Sequence, residues 1–147
     1  MRAIKERECY LKPDVSSIME NNEISYQLPD GTQIKLGNEL YTAPEILFDP
    51  TLAGFEFPGV HELLYKSIMK TDSCLKSAFF SEIYLAGGST MIKGFNERFI
   101  NEMDKLKPDG MKMKIYAPPD RQNLCWLGGA ILSDSATFKS LMTTRKV

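Results

Sequence analysis

A short apolar run, Ile83 to Ala86, passes directly into Gly87-Gly88 and then into the helix-like string Ser89-Thr90-Met91-Ile92. A strand that ends in two residues without Cβ must turn sharply. A flat or anionic ligand can then come within contact distance of the backbone. The turn is not a phosphate loop, since no Gly-Lys-Ser/Thr follows it. It is not a dinucleotide fingerprint either, because the third glycine is wrongly spaced. Taken alone, a strand and a glycine pair more often serve packing than ligand contact.

The elements around this turn set the fold class. Val60, Leu63, Leu64 and Ile68 fall at helical spacing. Thr71-Asp72-Ser73 caps a second helix, with Leu75, Ala78 and Phe79 on one face. Phe95, Phe99, Ile100, Met103 and Leu106 mark an amphipathic helix that Pro108 and Gly110 stop. Met111 to Tyr116 alternates as a strand, Pro118-Pro119 forces an extended turn, and Leu124 to Leu132 is an apolar helix in which Gly128-Gly129 allows close packing. Thr137 to Met142 adds a last turn. The order helix, helix, strand, helix, strand, helix predicts an α/β layer fold.

Before residue 60 the signals are smaller. Arg2 to Glu8 is charged and helix-like, Val15 to Glu20 reads as irregular or extended, and Asn21-Asn22 as a loop tip. Ser25–Leu28 and Gln33–Leu36 alternate about Pro29-Asp30-Gly31, which predicts a hairpin. Pro44 is placed for the first turn of a short helix that Asp49-Pro50 ends.

The chain has 147 residues, 43% of them hydrophobic, enough for one ordinary core. A net charge of −1 excludes a bulk electrostatic nucleic-acid or membrane-surface binder, and Lys105, Lys107, Lys112 and Lys114 read as a solvated face. No apolar run is long enough to span a membrane, so a soluble intracellular protein is expected. The three cysteines, Cys9, Cys74 and Cys125, are widely spaced and predict reduced, mostly packed thiols. His61 reads as a satisfied structural histidine, Trp126 as core, and the eight methionines as gap fillers. No carboxylate pair or nucleophile with an adjacent base stands out.

Several strings taken together are highly specific. They include Ile4-Lys5-Glu6 with Cys9-Tyr10, Tyr26-Gln27-Leu28-Pro29-Asp30-Gly31, Gly59-Val60-His61-Glu62, Leu85-Ala86-Gly87-Gly88-Ser89-Thr90-Met91, Ala117-Pro118-Pro119-Asp120-Arg121 and Trp126-Leu127-Gly128-Gly129. In this order they resemble the C-terminal part of actin and the actin-related proteins. The likeness runs over nearly the whole chain, with enough divergence to imply an actin-related protein or a rapidly evolving actin-like one rather than conventional actin.

The resemblance implies part of the actin-like ATPase (ribonuclease H-like) fold, an α/β mixed sheet with flanking helices plus a small hairpin-containing subdomain. It implies a division into a hairpin remnant of the smaller subdomain at 1–40, a larger α/β subdomain with the glycine turn at 41–123, and a helical return segment at 124–147. The family binds ATP or ADP with Mg or Ca in a cleft between two α/β domains. Carried over residue by residue, Gly87, Gly88 and Ser89 lie against the nucleotide and Met91 packs on the adenine. Lys5 and Glu6 approach base and ribose from the opposite wall. Gln122 stands where the family usually has a lysine, and Ile92 where an aromatic is common.

The family's phosphate loops and its metal- and water-positioning residues correspond to sequence upstream of Met1, and the segment 124–142 corresponds to one that packs on the family's first domain. The resemblance therefore implies an adenine- and ribose-facing contribution to an ATP cleft in a cytoskeletal assembly. Its partners would be other actin-family subunits or actin-binding proteins, with no nucleic acid and no membrane. The location would be cytoplasmic, with the nucleus as the alternative. ATP hydrolysis by this chain alone is not expected, and nucleotide binding should be weak or absent. The competing expectation is a non-catalytic actin-fold interaction module that no longer binds nucleotide.

Overall fold

The computed structural model describes residues 2–14 and 23–143. The piece expected over Val15 to Glu20 and the loop tip at Asn21-Asn22 lie outside the described residues. Helix α1 (Arg2–Arg7) is followed by a hairpin of β1 (Ile24–Gln27) and β2 (Gln33–Leu36), paired antiparallel from Ile24 opposite Leu36 to Gln27 opposite Gln33. At its turn Asp30 Oδ1 accepts from the Thr32 amide at 2.9 Å, the local bond that makes aspartate a turn residue.

Helix α2 (Glu39–Glu45) starts earlier than its proline suggests. Pro44 is buried near its C-terminal end rather than in the first turn. The helix ends there, and Pro50 opens a separate 3₁₀ turn, Pro50–Ala53, capped by Asp49. Helices α3 (Val60–Met69), α4 (Ser73–Ser81) and α5 (Phe95–Leu106) follow as expected. On α4, however, Leu75, Ala78 and Phe79 are exposed, and Phe80 is the residue the core takes in.

The strands expected over Ile83 to Ala86 and Met111 to Tyr116 shrink to two residues each, β3 (Ile83–Tyr84) and β4 (Ile115–Tyr116), paired parallel. Lys114 still joins the edge, its amide donating to Phe80 and its carbonyl accepting from Ile83, but Met111 to Met113 has no strand beside it among the described residues. The expected mixed sheet is thus two separate two-stranded sheets, one antiparallel and one parallel. Helix α6 (Leu124–Asp134) and the short α7 (Phe138–Leu141) close the described chain.

Two buried clusters hold these elements. The larger gathers Ile68, Phe80, Ile83, Phe95, Phe99 and Met103 from α3, α4, β3 and α5, with Leu85 just past β3, Leu11 from the segment after α1 and Phe48 from the segment after α2. Side chains of this size each gain about 1.5–3 kcal/mol on full burial. The smaller gathers Ile4, Cys9 and Leu40 beneath the hairpin. The segment Tyr10 to Pro13 ties the two regions together. Tyr10 forms a parallel bridge with Lys93, the Leu11 amide donates to the Lys93 carbonyl at 2.8 Å, and Asn101 donates to the Pro13 carbonyl at 3.0 Å.

Helix α6 belongs to neither cluster. None of its residues is buried, Trp126 is 75% exposed rather than core, and nothing lies within 4 Å of where a Cβ would stand on Gly128 or Gly129. Cysteine packing is also less complete than expected, since only Cys9 is buried while Cys74 and Cys125 are exposed. The methionines divide likewise, with Met103 fully buried and Met91 and Met142 exposed.

Candidate functional site

The backbone at Gly87 takes φ 93°, a left-handed value that suits glycine. Gly88–Met91 then winds as a 3₁₀ turn rather than an α-helix. Thr90 fastens the turn on itself, its amide and its hydroxyl both donating to the Gly87 carbonyl, at 3.1 and 2.8 Å.

A second 3₁₀ turn, Arg121–Asn123, is clamped against the first. Arg121 donates from Nε to Thr90 Oγ1 at 3.0 Å and from Nη2 to the Thr90 carbonyl at 2.6 Å, and the Gly87 amide donates to the Arg121 carbonyl at 2.9 Å. Gln122 is thereby carried next to the glycine turn. The structure so brings Gly87, Gly88, Ser89, Met91 and Gln122 into one neighbourhood. Gly88, Ser89, Met91 and Gln122 are exposed there, Met91 at 38%. No atom lies within 4 Å of the Cβ position of either glycine. The outer side of the turn is open backbone with a thioether at its edge, a surface a planar ring can lie on.

Lys5 and Glu6 are on α1 and exposed. Glu6 is engaged locally, where its Oε1 accepts from Arg2 Nε at 2.7 Å. That bond holds its carboxyl below the usual range. Among the described residues no hydrogen bond or ion pair joins either residue to the glycine turn. The backbone following α1 does come close, through the bridge between Tyr10 and Lys93, two residues past Met91.

Two residues at the turn were not singled out by sequence reasoning, Thr90 and Arg121. Arg121 works across a separation of 31 residues, which no periodicity reveals. The signal available was its position directly after Pro118-Pro119-Asp120.

A second polar cluster lies under α2, α3 and α5. Arg98, 3% exposed, has Nη2 at 2.9 Å from Glu45 Oε1 and Nε at 3.0 Å from Glu102 Oε1, and its guanidinium sits over the Phe48 ring. The distances are those of ion pairs, yet neither Glu45 Oε1 nor Arg98 Nε has an aligned hydrogen bond. Burial pushes the Glu45 carboxyl up, against the pull of Arg98. His61 stacks on Phe48 with ring centroids 5.5 Å apart. It is buried as expected, but its Nδ1 has no partner, so it is not satisfied, and burial pushes its pKa down. The cluster joins three helices and holds no nucleophile with a base. Among the described residues no group of three or more His, Cys, Asp or Glu could hold a metal ion, and no helix is long and apolar enough to cross a membrane.

The sequence matches the actin family over residues 1–147. It is 43% identical over 150 residues to the protein named centractin of Schizosaccharomyces pombe, an alignment covering 98% of this chain and 40% of that protein. The chain therefore spans well under half the length of this relative. A match over the full 147 residues, together with the motifs that surround the open glycine turn, establishes that this chain belongs to the actin family.

Proposed function

We propose that the chain supplies the adenine- and ribose-facing wall of an ATP cleft in a cytoplasmic, cytoskeletal actin-related assembly. The observation that carries this reading is the open pair Gly87-Gly88, fixed by Thr90 and Arg121 with Met91 at its edge. Glycine backbone there accepts a base face, Met91 covers it, and Gln122 offers an amide to its rim. Lys5 and Glu6 complete the opposite wall, which requires Glu6 to exchange Arg2 for ribose hydroxyls. The described residues fit the nucleoside end of ATP or ADP and offer no cluster for its divalent cation.

The division into 1–40, 41–123 and 124–147 is part of the same proposal. It is supported by the separate buried clusters and by the exposure of α6. The apolar side chains of α6 would then meet the remainder of the family fold, and the partners are other actin-family subunits or actin-binding proteins.

Magnitudes decide how far this chain acts alone. Stacking on one base contributes about 1–3 kcal/mol. Each hydrogen bond to a charged group adds about 1.5–3 kcal/mol. Micromolar affinity needs about 8 kcal/mol after ordering costs. Base-side contacts therefore give millimolar binding. Hydrolysis is not a property of these residues, since none is placed to orient water or neutralise a γ-phosphate.

The test is a titration of the isotopically labelled chain with adenosine, ATP and Mg-ATP, followed by backbone NMR. Shifts centred on Gly87, Gly88 and Met91, equal for adenosine and ATP and indifferent to magnesium, are the expected result. The alternative, an interaction module without nucleotide, is favoured by the Arg2–Glu6 pair and by Gln122 and Ile92. Absence of any shift at ten millimolar adenosine decides for it.

A further inference from the structure

Beside the bridge between Tyr10 and Lys93 lies a cleft of about 510 Å³, separate in its residues from the glycine turn. Its apolar lining is Tyr10, Leu11, Ile24 and Leu40, contributed by the N-terminal segment, β1 and α2. Glu8, Lys93 and Glu97 stand at its polar margin, and among the described residues none of the three has an ion pair or side-chain hydrogen bond. The volume is that of a site for a small ligand or one large side chain.

Charge settles which kind. Two carboxylates face one ammonium, so the margin is acidic by one charge, over an aromatic ring and three aliphatic side chains. We propose that this cleft receives an arginine side chain from a basic, apolar-flanked segment of a partner protein. The aliphatic stem lies along Leu11, Ile24 and Leu40, and the guanidinium reaches the rim between Glu8 and Glu97. A guanidinium suits the site because its planar fork matches carboxylates and can stack on the Tyr10 ring. An acidic segment meets two repelling groups for one attracting one.

The proposal does not rest on nucleotide binding, and either can fail without the other. The probe is the capped tripeptide acetyl-Leu-Arg-Leu-amide, titrated into the full chain with backbone NMR as readout. The expected result is a set of shifts confined to Tyr10, Ile24, Leu40, Lys93 and Glu97. Glu97→Gln and Glu8→Gln each weaken binding about two- to fivefold, the range of an exposed ion pair, and Lys93→Gln tightens it by a similar factor. These are surface changes, and an unchanged thermal midpoint verifies the fold in each. Equal binding of acetyl-Leu-Glu-Leu-amide overturns the proposal, as does an affinity that the Glu8→Gln/Glu97→Gln double variant leaves unaltered. Shifts that fall elsewhere on the chain overturn it too.

Discussion

Gly88, in the 3₁₀ turn, and Gly94, at the start of α5, show two different uses of glycine. Gly94 has φ 81°, and a Cβ built there overlaps the Leu11 carbonyl oxygen. The close approach is what lets Leu11 bond to Lys93 and carry the N-terminal segment over α5. Gly94→Ala should therefore destabilise the chain by at least ~2 kcal/mol in urea unfolding, from backbone strain and displacement of that segment. Gly88 has open space at its Cβ position and no left-handed backbone. Gly88→Ala should leave stability within about 0.5 kcal/mol while the adenosine shifts at the turn weaken, because the new methyl would occupy the space the proposed site gives to the base. Loss of stability without loss of binding would assign Gly88 to packing. His61 makes a prediction of a different kind. Burial, opposed by the nearby carboxylates of Glu102 and Glu62 and reinforced by Arg98 and Lys105, keeps its folded pKa below the ordinary 6.5. Below that ordinary value the unfolded chain binds a proton that the folded chain refuses. Stability from His61 is thus full above pH 6.5 and falls as pH drops through and below it. Glu45 has the opposite sign, since its raised pKa favours the folded state below 4.5 and that contribution is lost as pH rises through the folded value. His61→Leu isolates the first effect. The decline in urea midpoint between pH 7 and pH 5.5 should be shallower in the variant than in the parent.

At the scale of elements, α6 is the one whose sequence and surroundings disagree most. Leu124 to Leu132 is an apolar helix in the sequence and in the structure, but an apolar helix buries a face only if another element arrives to cover it. Here Trp126, Leu127, Ile131 and Leu132 are exposed. Sequence alone reads such residues as core because it records their hydropathy and not the neighbour. The same blindness explains Leu75 and Phe79 on α4, where apolar spacing selected one face and the core took Phe80. Local chemistry was more legible. The hairpin turn, the ends of α5 and the 3₁₀ turn at the glycines depend on residues close in sequence, and each lies where its Gly, Pro and Asp residues suggest. Strand lengths were not legible, because alternation marks residues able to pair but not whether a partner strand lies beside them. The site was half visible on the same grounds. The glycine pair announced itself, whereas the Arg121–Thr90 clamp needed the fold. Trp126 is the single tryptophan and reports on α6 directly. Its emission should match that of a solvated indole and be quenched by acrylamide nearly as fully as free tryptophanamide. Strong protection in the monomeric chain would show α6 packed, contrary to its exposure here.

The whole molecule combines a clamped glycine turn with an uncovered helix, over a span equal to 40% of the relative's length. Each half of that description predicts the response to nucleotide. A ligand that binds only the folded state stabilises it by RT ln(1 + [L]/Kd). At 0.5 mM ATP a millimolar site contributes only ~0.2 kcal/mol, whereas a micromolar site contributes ~3.7 kcal/mol. For a chain of this size 1 kcal/mol moves the thermal midpoint by roughly 2–4 °C. The two cases are thus separated by a shift of about one degree or less against one of about seven or more. We expect the smaller shift for the chain alone, with or without magnesium. The larger one should appear only when the part of the actin fold that this sequence does not match is supplied alongside it. That addition should also protect Trp126, because in the proposed cleft the surface that completes the nucleotide site and the surface that covers α6 belong to the same part of the family fold, outside the span matched here. A shift of several degrees with the chain alone would mean that phosphate and cation are being held by residues here, and would overturn the restriction of its role to the base and ribose. Protection of Trp126 without a gain in nucleotide affinity would separate the two surfaces and leave the interaction module as the correct reading.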